Sequence, residues 1–416
     1  MQSTTDVSTR SNHAAAGSAR IHAVRFARIA SLRVRGFRSI VDATLAPGRL
    51  CALVGDVQVG KSNLLAAIRL LLDEGAAVDP RDAATLAVGP ISIDATLETG
   101  RRLTLETSGS TVIRTGEPPP VLYLPASERA AGLVEDEPEH RLPAQALGLI
   151  REALDEQGRG MPPSSGTLPA ASLVDGLEDC CVQGIRGLVL LIEEPELYLR
   201  PQAQRYFYRL LRTFAQGGNQ VLYATHSPNL LNVARLDELA IVRLTEYGTR
   251  AIQPEMPTPD EDFRLMTEFD AERSELFLAR AALLVEGQTE RLALPFAFAA
   301  CGYDADRESV SIVACGGKAN IVLFARVCRS VGIPFVALHD RDRDDDVLNE
   351  AIGALAGDRT IVLSPDFEHV AGLRGRSHKP ERAWRRFASM GRDELAEPLR
   401  RAVELAVELA RAGGGR

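Results

Sequence analysis

The sequence lacks several features, and each absence excludes a class of protein. It has no run of about 18 apolar residues, so no membrane-spanning helix is predicted. The first 20 residues are rich in Ser, Thr and Ala and lack the apolar core of a signal peptide. The six cysteines are scattered without the spacing of a metal site, and several lie in apolar runs. We therefore expect a cytoplasmic protein with buried thiols in a reducing compartment.

An excess of basic residues is also absent. The formal net charge is −8, which does not point to nucleic acid as a partner, although local patches matter more than the sum. What is present is a chain of 416 residues, of which 45% are hydrophobic. Such a chain is expected to form two or three domains, each with a sizeable core.

A phosphate-binding pattern, G-x-x-x-x-G-K-[ST], occupies residues 55–62. An apolar run precedes it and a segment with helical spacing follows, which is the strand–loop–helix context that the pattern requires. Glycines at both ends let backbone amides close around phosphates, and the helix N-terminus adds positive potential. Lys61 would reach the β- and γ-phosphates, and the Ser62 hydroxyl would bind Mg²⁺. The alternative is a chance match in a glycine-rich turn.

A second element of the same chemistry is the apolar run 188–192, which ends in Glu193 and Glu194. It has the character of a buried parallel strand that delivers carboxylates to its C-terminal edge. We expect Glu193 to orient the Mg²⁺ shell and Glu194 to polarise the attacking water. The alternative is a strand followed by the negatively charged start of a helix.

A third apolar run, residues 220–225, ends in His226 before a proline-containing turn. A histidine there can hydrogen-bond the γ-phosphate or the water, and the alternative is a solvated loop histidine. The residues that we expect to contact nucleotide are Gly55, Gly60, Lys61, Ser62, Asn63 and Glu193.

In this order the three elements resemble an ABC-type ATPase head. Residues 163–167 resemble a degenerate signature loop, which in such heads contacts the γ-phosphate held by the other protomer. The resemblance therefore implies a homodimer, while a plain Pro/Ser/Gly linker is the alternative for this segment. The family usually carries Asn where this chain has Val57. No heptad repeat is long enough for a coiled-coil arm, which argues against a long-armed repair ATPase.

The second half of the chain carries acidic residues at the ends of strands in βαβ order. Parallel strands would bring these carboxylates to one edge of a sheet, where an all-oxygen site suits Mg²⁺ or Mn²⁺. Two metals about 4 Å apart would bind the attacking and leaving oxygens of a phosphodiester. The alternative is a set of solvated loop carboxylates. The expected metal ligands of this half are Glu286, Glu290, Asp340 and Asp342.

The ordered patterns V-E-G-x-x-E, G-G-K and D-x-D resemble a TOPRIM domain. Over about residues 24–390 the chain resembles the OLD (overcoming lysogenization defect) family of ATP-dependent nucleases. This implies an α/β protein, with an ABC-type P-loop ATPase domain followed by a TOPRIM domain built on a Rossmann-like parallel sheet. It also implies catalytic roles for Glu290 and Asp340, an extra metal ligand at Glu368, and a scissile-phosphate contact from Lys379.

Changes in composition along the chain predict its domain boundaries. The predicted segments are a disordered tail (1–23), the ATPase domain (24–253), a linker (254–273), the TOPRIM domain (274–392) and a C-terminal helix with a tail (393–416). Residues 374–392 contain seven Lys or Arg and one acidic residue. Clustered basic residues near an acidic site are typical of proteins that hold a phosphate backbone. The alternative is a solvated basic helix face.

We therefore expect a divalent-metal-dependent DNA endonuclease that binds and hydrolyses ATP and acts in phage defence or DNA repair. One alternative is an ATP-switched DNA-binding or scaffold protein with an inactive TOPRIM site. Another is a TOPRIM primase or topoisomerase, which the lack of a recognisable zinc module or tyrosine-bearing cleavage domain disfavours.

Overall fold

The fold combines three β-sheets with helices on their faces. The computed structural model describes residues 28–83, 89–108, 111–126, 144–149, 168–197, 199–231, 235–254, 273–341, 346–373 and 378–413. The predicted N-terminal tail, and the predicted linker apart from Pro254 and Arg273, lie outside these residues.

The first part of the chain contains two of the sheets. Its strands are β1 (Ile29–Phe37), β2 (Ile40–Leu45), β3 (Leu50–Val54), β4 (Ser92–Leu97), β5 (Arg102–Ser108), β6 (Thr111–Thr115), β7 (Val121–Leu124), β8 (Val189–Glu193), β9 (Gln220–Thr225), β10 (Leu239–Thr245) and β11 (Gly248–Ile252). Its longer helices are α1 (Lys61–Leu72), α2 (Leu168–Val182) and α3 (Pro201–Gln216).

The antiparallel sheet has the order β2-β1-β4-β5-β6. Its strands alternate between buried apolar and exposed polar residues, as Leu32 and Val34 do with Arg33 and Arg35 in β1. This alternation is the pattern of a sheet with one face on the core and one in solvent. Apolar and polar residues alternate at 91–98, 102–107 and 110–114, which predicts three strands of a small antiparallel sheet. These segments correspond to β4, β5 and β6.

The second sheet has the order β11-β10-β3-β9-β8-β7 and is parallel from β10 to β7. Its inner strands are fully buried because helices or the other sheet cover both faces. In β3, Cys51 and Leu53 pack toward α1 and the antiparallel sheet, whereas Ala52 and Val54 pack toward the side of α3. The continuous apolar runs in the sequence reflect this burial on both faces.

The second part of the chain contains the third sheet. It contains β12 (Ala281–Val285), β13 (Val310–Ala314), β14 (Phe335–Asp340) and β15 (Thr360–Leu363), all parallel, in the order β13-β12-β14-β15. The helices are α4 (Gln288–Ala300), α5 (Lys318–Ser330), α6 (Asp346–Ala356), α7 (Phe367–Val370), α8 (Lys379–Phe387) and α9 (Glu397–Gly413). Helix α4 begins at Gln288, so Glu290 lies in its first turn.

The C-terminal helix α9 packs on this third sheet. It contacts β12, β14 and β15, and its buried face includes Leu399, Val403 and Ala406. The predicted C-terminal helix is therefore present, and it covers one face of the sheet that carries the acidic residues.

The two parts of the chain share a continuous apolar core. One cluster of buried residues contains Leu230 and Ile241 from the first part together with Phe277 and Phe324 from the second. The Cδ1 atom of Ile252, in β11, also lies against Gly332 after α5. The parallel sheets are thus held beside one another by apolar packing.

Candidate active sites

The loop after β3 has the conformation that its glycines allow. Gly60 has φ 103°, and a Cβ there would lie 2.3 Å from the Thr249 side-chain oxygen. A Cβ on Gly55 would lie 2.2 Å from the carbonyl oxygen of Val242. Both glycines are required by close approach of the loop to neighbouring strands, and the expected strand–loop–helix geometry is present.

Lys61 opens helix α1 and is turned back onto the loop. Its Nζ donates to the carbonyl oxygens of Gly55 at 3.0 Å and Asp56 at 2.8 Å. Burial lowers the pKa of Lys61 to about 8, an effect that the nearby carboxylates of Glu194, Asp56 and Glu196 oppose. Next to it Ser62 is exposed in the first turn of α1. Lys61 is thus hydrogen-bonded to the loop that would bind phosphate.

A chain of three hydroxyl and amide groups supports the loop from behind. The Nδ2 of Asn63 donates to Ser39 Oγ at 2.7 Å, and Ser39 Oγ lies 2.7 Å from Thr249 Oγ1. Thr249 Oγ1 donates to the carbonyl of Val59 at 2.8 Å. Sequence reasoning selected Asn63 and missed Ser39 and Thr249, because a serine in a turn and a threonine in an edge strand give no local signal.

The predicted acids and histidine lie beside this loop. Since β9 lies between β3 and β8, His226 stands between the phosphate-binding loop and the acidic pair. Its Nε2 lies 4.0 Å from Glu194 Oε1. Burial lowers the pKa of His226, Lys61 adds to this, and Glu194 and Asp56 oppose it. Glu193 Oε2 accepts the backbone N–H of Ala126 at 3.2 Å.

The acidic residues of the third sheet gather at its C-terminal edge. Glu286 follows β12, and its Oε1 accepts the backbone N–H of Asp340 at 2.8 Å. Asp340 ends β14, and its Oδ1 accepts the N–H of Phe367 at 2.7 Å. The carbonyl oxygen of Glu286 accepts from Gly316 at 2.9 Å and Gly317 at 2.8 Å. Four strand ends are thereby tied together around two carboxylates.

These carboxylates are close enough to repel one another. Burial raises the pKa of Asp340 to about 7, and Glu286, Glu290 and Glu368 add to the rise against the opposing Phe367 amide. Burial likewise raises the pKa of Glu290, with Glu286 and Glu368 adding to the rise. A concentration of negative charge of this kind is characteristic of functional sites.

The donor set fits a hard divalent cation. Within the described part of the chain, no three acidic, histidine or cysteine side chains already form a closed metal site. The predicted ligand Asp342 lies outside those residues. Carboxylate oxygens are the ligands of Mg²⁺ and Mn²⁺, and a cation between Glu286 and Asp340 would relieve the repulsion that raises the pKa of Asp340.

Basic residues border this acidic edge. Lys379 Nζ lies 2.5 Å from Glu368 Oε1, so the predicted phosphate contact and the predicted extra ligand form an ion pair. Lys318, after the paired glycines, is buried at the start of α5. On α8 Arg385 pairs with Glu381, so part of the basic charge is already neutralised. Arg374 and Arg376, and the signature-like loop at 163–167, lie outside the described residues.

Two family models match this chain. The model described as "Overcoming lysogenization defect protein-like, TOPRIM domain" matches residues 277–342, and "AAA domain, putative AbiEii toxin, Type IV TA system" matches residues 136–232. The first match covers β12 to β14 with their acidic ends, and the second covers the acidic strand β8 and His226. The first part of the chain is therefore similar to an ATPase domain, and the second part to the TOPRIM domain of OLD-like proteins.

Two curated nucleases are similar to this chain in sequence. The chain is 34% identical over 284 residues to "OLD nuclease" of Thermus scotoductus (strain ATCC 700910 / SA-01), an alignment that spans 59% of this chain and 54% of the relative. It is 28% identical over 167 residues to "Old nuclease" of Escherichia phage P2, across 38% of this chain and 28% of the relative. The chain thus spans about half or less of the length of these relatives.

A solved structure of an OLD fragment is also similar. The C-terminal region of the Xanthomonas campestris pv. campestris OLD protein is 18% identical, with a TM-score of 0.28, and covers 33% of this chain and 97% of that one. The two family models, together with the parallel sheets, show an α/β fold with an ATPase domain and a TOPRIM domain, the two kinds of domain that in general use nucleotide and divalent metal. In its described residues, no helix is both long and apolar enough to cross a membrane.

Proposed function

We propose that this chain is a member of the OLD family that acts as an ATPase and a divalent-metal-dependent DNA endonuclease, with Mg²⁺ as the metal and Mn²⁺ as a substitute. The observation that carries the proposal is the group of carboxylates at the C-terminal edge of the third sheet. Burial, with repulsion from Glu286, Glu290 and Glu368 added to it, raises the pKa of Asp340 to about 7. This arrangement costs stability and is explained by a function that needs the negative charge.

At the first site the side chains would bind ATP and orient a water molecule. Lys61 would leave the carbonyls of Gly55 and Asp56 for the phosphates, which offer it a full negative charge in place of two dipoles. Glu194 would take the proton of the attacking water, and His226 Nε2 would contact the γ-phosphate from beside it. Ser62 and Glu193 would hold the Mg²⁺ that accompanies the nucleotide.

At the second site the chain would position a phosphodiester. Glu286, Glu290, Asp340, Asp342 and Glu368 are the residues that would hold the metal. When bound, the divalent cation would activate water and neutralise charge on the phosphate. Glu290 has a raised pKa and is placed to accept a proton. Lys379 would contact the scissile phosphate once its ion pair with Glu368 is released.

The partners follow from the same chemistry. Basic residues of α8, among them the exposed Arg385 and Arg386, would hold the DNA backbone beside the acidic edge. A homodimer would bring a second ATPase domain against the first, as in ABC-type heads. A cytoplasmic protein of this kind would act in phage defence or DNA repair.

A second candidate function is an ATP-switched DNA-binding or scaffold protein with an inactive TOPRIM site. The Lys379–Glu368 ion pair favours it, because a neutralised glutamate is a poorer metal ligand. The two candidate functions differ in whether DNA is cut: the endonuclease cuts it and the scaffold protein does not.

A supercoiled-plasmid assay separates them. Mg²⁺, Mn²⁺ and ATP are varied independently, and nicked and linear products are measured with wild type and with Asp358→Ala as the matched control. Asp358 is an exposed acid that precedes β15, at the opposite edge of the sheet. Metal-dependent nicking by both proteins supports the endonuclease; intact plasmid under every condition, with ATP still hydrolysed, supports the scaffold.

A further inference from the structure

Glu196 connects the acidic turn after β8 to the histidine after β9. Its Oε1 accepts the backbone N–H of His226 at 2.6 Å, and its Oε2 accepts the Thr225 hydroxyl at 2.9 Å. Both oxygens of one carboxylate are therefore engaged by two consecutive residues of the next strand. Nothing in the sequence distinguishes this acid from any other carboxylate that follows a strand.

The backbone of the turn places Glu196 there. Glu194 has φ 43°, in the left-handed region, which is uncommon for a residue with a side chain. The chain then reverses, and the N–H of Leu197 donates to the carbonyl of Glu194 at 3.1 Å. This turn directs Glu194 toward His226 and returns Glu196 beneath the end of β9. Two acids two residues apart thus face the same histidine, Glu196 at its backbone and Glu194 at its ring.

The hydrogen bonds continue past His226. Thr225 Oγ1 accepts the N–H of Ser227 at 3.0 Å, and Ser227 Oγ donates to Gln204 Oε1 at 2.5 Å. Gln204 Nε2 in turn donates to the carbonyl of Leu199 at 2.8 Å. The residues on both sides of the histidine are therefore fixed to α3 and to the acidic turn. Glu196 is the charged member of this network, and charged acceptors make the stronger hydrogen bonds.

The histidine ring is less restrained than its backbone. Its side chain is 32% exposed, and the contact with Glu194 is at 4.0 Å, beyond hydrogen-bond distance. The position of the His226 ring therefore depends mainly on the position of the His226 backbone, which Glu196 holds. A displacement of about 1 Å in a reacting group costs on the order of a hundredfold in rate.

We propose that Glu196 is a positioning residue for ATP hydrolysis, which holds the backbone of His226 so that the ring faces the γ-phosphate beside Glu194. This inference rests on the proposed function. Glu196 acts through His226 and does not itself contact the nucleotide.

The test uses variants of the full chain. Glu196→Gln keeps the size of the side chain but replaces one acceptor oxygen with an NH2 donor and removes the negative charge, so the hydrogen bonds to Thr225 and His226 lose their charged acceptor. We expect kcat for ATP to fall about 10- to 100-fold, with KM and ATP affinity within about twofold of wild type. Glu196→Asp keeps both acceptor oxygens and is expected to recover part of the lost turnover.

A double-mutant cycle separates positioning from a general structural role. His226→Ala alone should lower kcat, and adding Glu196→Gln to it should change kcat by less than about twofold. Glu238→Gln is the matched control. Glu238 is also a partly buried acid with a raised pKa, and it accepts the Tyr208 hydroxyl at 2.6 Å just before β10, at the far edge of the same sheet. It should leave kcat within about twofold of wild type, since it lies away from His226.

Three results overturn the inference: wild-type turnover in folded Glu196→Gln, multiplicative losses in the double variant, or an unaffected kcat in His226→Ala. Hydrogen exchange at the His226 amide is followed in parallel and should be faster in Glu196→Gln. If wild type binds ATP and does not hydrolyse it, the proposed function has failed, and the inference falls with it. If wild type hydrolyses ATP and the cycle is multiplicative, the inference alone has failed.

Discussion

Arg280 Nε lies 2.8 Å from Asp56 Oδ2, and this ion pair joins the phosphate-binding loop to the residue that precedes β12. Burial opposes ionisation of Asp56, yet the Val57 amide, Arg280 and Lys61 together hold its pKa below the ordinary value. Because Glu286 directly follows β12, this one strand lies between the ion pair and the second acidic site.

Removal of this ion pair should have a small, salt-dependent effect on stability. The two side chains are 45% and 38% exposed, so Arg280→Ala should lower the free energy of unfolding by at most about 1 kcal/mol. The loss should shrink near 1 M salt, where the Debye length is about 3 Å. It should also vanish as pH falls through the lowered pKa of Asp56, because that pair contributes only while the carboxylate is charged.

Urea unfolding at low and high salt measures this effect. Arg33→Ala is the control, since Arg33 forms a comparable exposed pair with Asp42, at 2.6 Å, inside the antiparallel sheet. A salt-independent loss for Arg280→Ala would mean that packing at the junction, and not charge, is what the arginine supplies.

Lys61→Ala should abolish ATP binding and leave the protein folded. The side chain makes two hydrogen bonds to loop carbonyls, and its burial lowers its pKa to about 8. Deleting it removes a costly buried charge together with the phosphate contact, so little stability is lost. Titration with labelled ATP measures the loss of binding, and a circular dichroism spectrum checks that the variant is folded. Unchanged affinity in a folded variant contradicts the prediction.

Glu194→Gln should retain ATP binding and lose most hydrolysis. The carboxamide preserves shape and removes the negative charge that would accept a proton, a loss of roughly 10²–10⁴-fold. Steady-state phosphate release and ATP affinity are measured on the same preparation. Turnover within about twofold of wild type would assign the proton acceptor to another group.

Asp340→Ala should abolish plasmid nicking while ATP hydrolysis stays nearly intact. A hard oxygen ligand would be lost from a site where ligands must lie within about 2 Å of the ion. The phosphate-binding loop has its own candidate ligands and does not include Asp340. Asp358→Ala should nick like wild type; full nicking by Asp340→Ala would remove the main support for the nuclease.

Asp340→Asn should stabilise the metal-free protein at high pH. The folded pKa of Asp340 is about 7, above its ordinary value of 3.8, so the unfolded state releases this proton first as pH rises. Wild-type stability should therefore fall between about pH 4 and pH 7, and this part of the fall should be absent in the variant. Because Asp340 is partly exposed to solvent, the effect is smaller than the full pKa shift implies. We expect Asp340→Asn to raise the free energy of unfolding by about 1–2 kcal/mol at pH 8.

Unfolding in the presence of a chelator measures this gain. Added Mg²⁺ should stabilise wild type, by mass action on the folded state, and should stabilise Asp340→Asn less. Equal stability of the two proteins at pH 8 without metal would show that Asp340 is not under repulsion from its neighbours.

Local sequence patterns were sufficient to predict candidate site residues wherever the chemistry needs residues that are adjacent in the chain. The phosphate-binding loop is readable because a strand, its glycines, Lys61 and a helix follow one another in sequence. The acidic ends at Glu193 and Asp340 are readable because a buried parallel strand is a continuous apolar run that stops at the sheet edge. From these patterns alone the order of two α/β domains and most candidate residues could be predicted.

Contacts between distant segments were decided by the tertiary structure. Glu196 and His226 are 30 residues apart, and Asp56 and Arg280 are 224 apart. Whether these side chains meet depends on the strand order β10-β3-β9-β8 and on packing of the third sheet against the first domain. Strand order is set by which apolar faces bury one another, and that is a property of the whole folded chain. The sequence by itself determined which chemistry each strand end carries, and the tertiary structure decided which of those ends face each other.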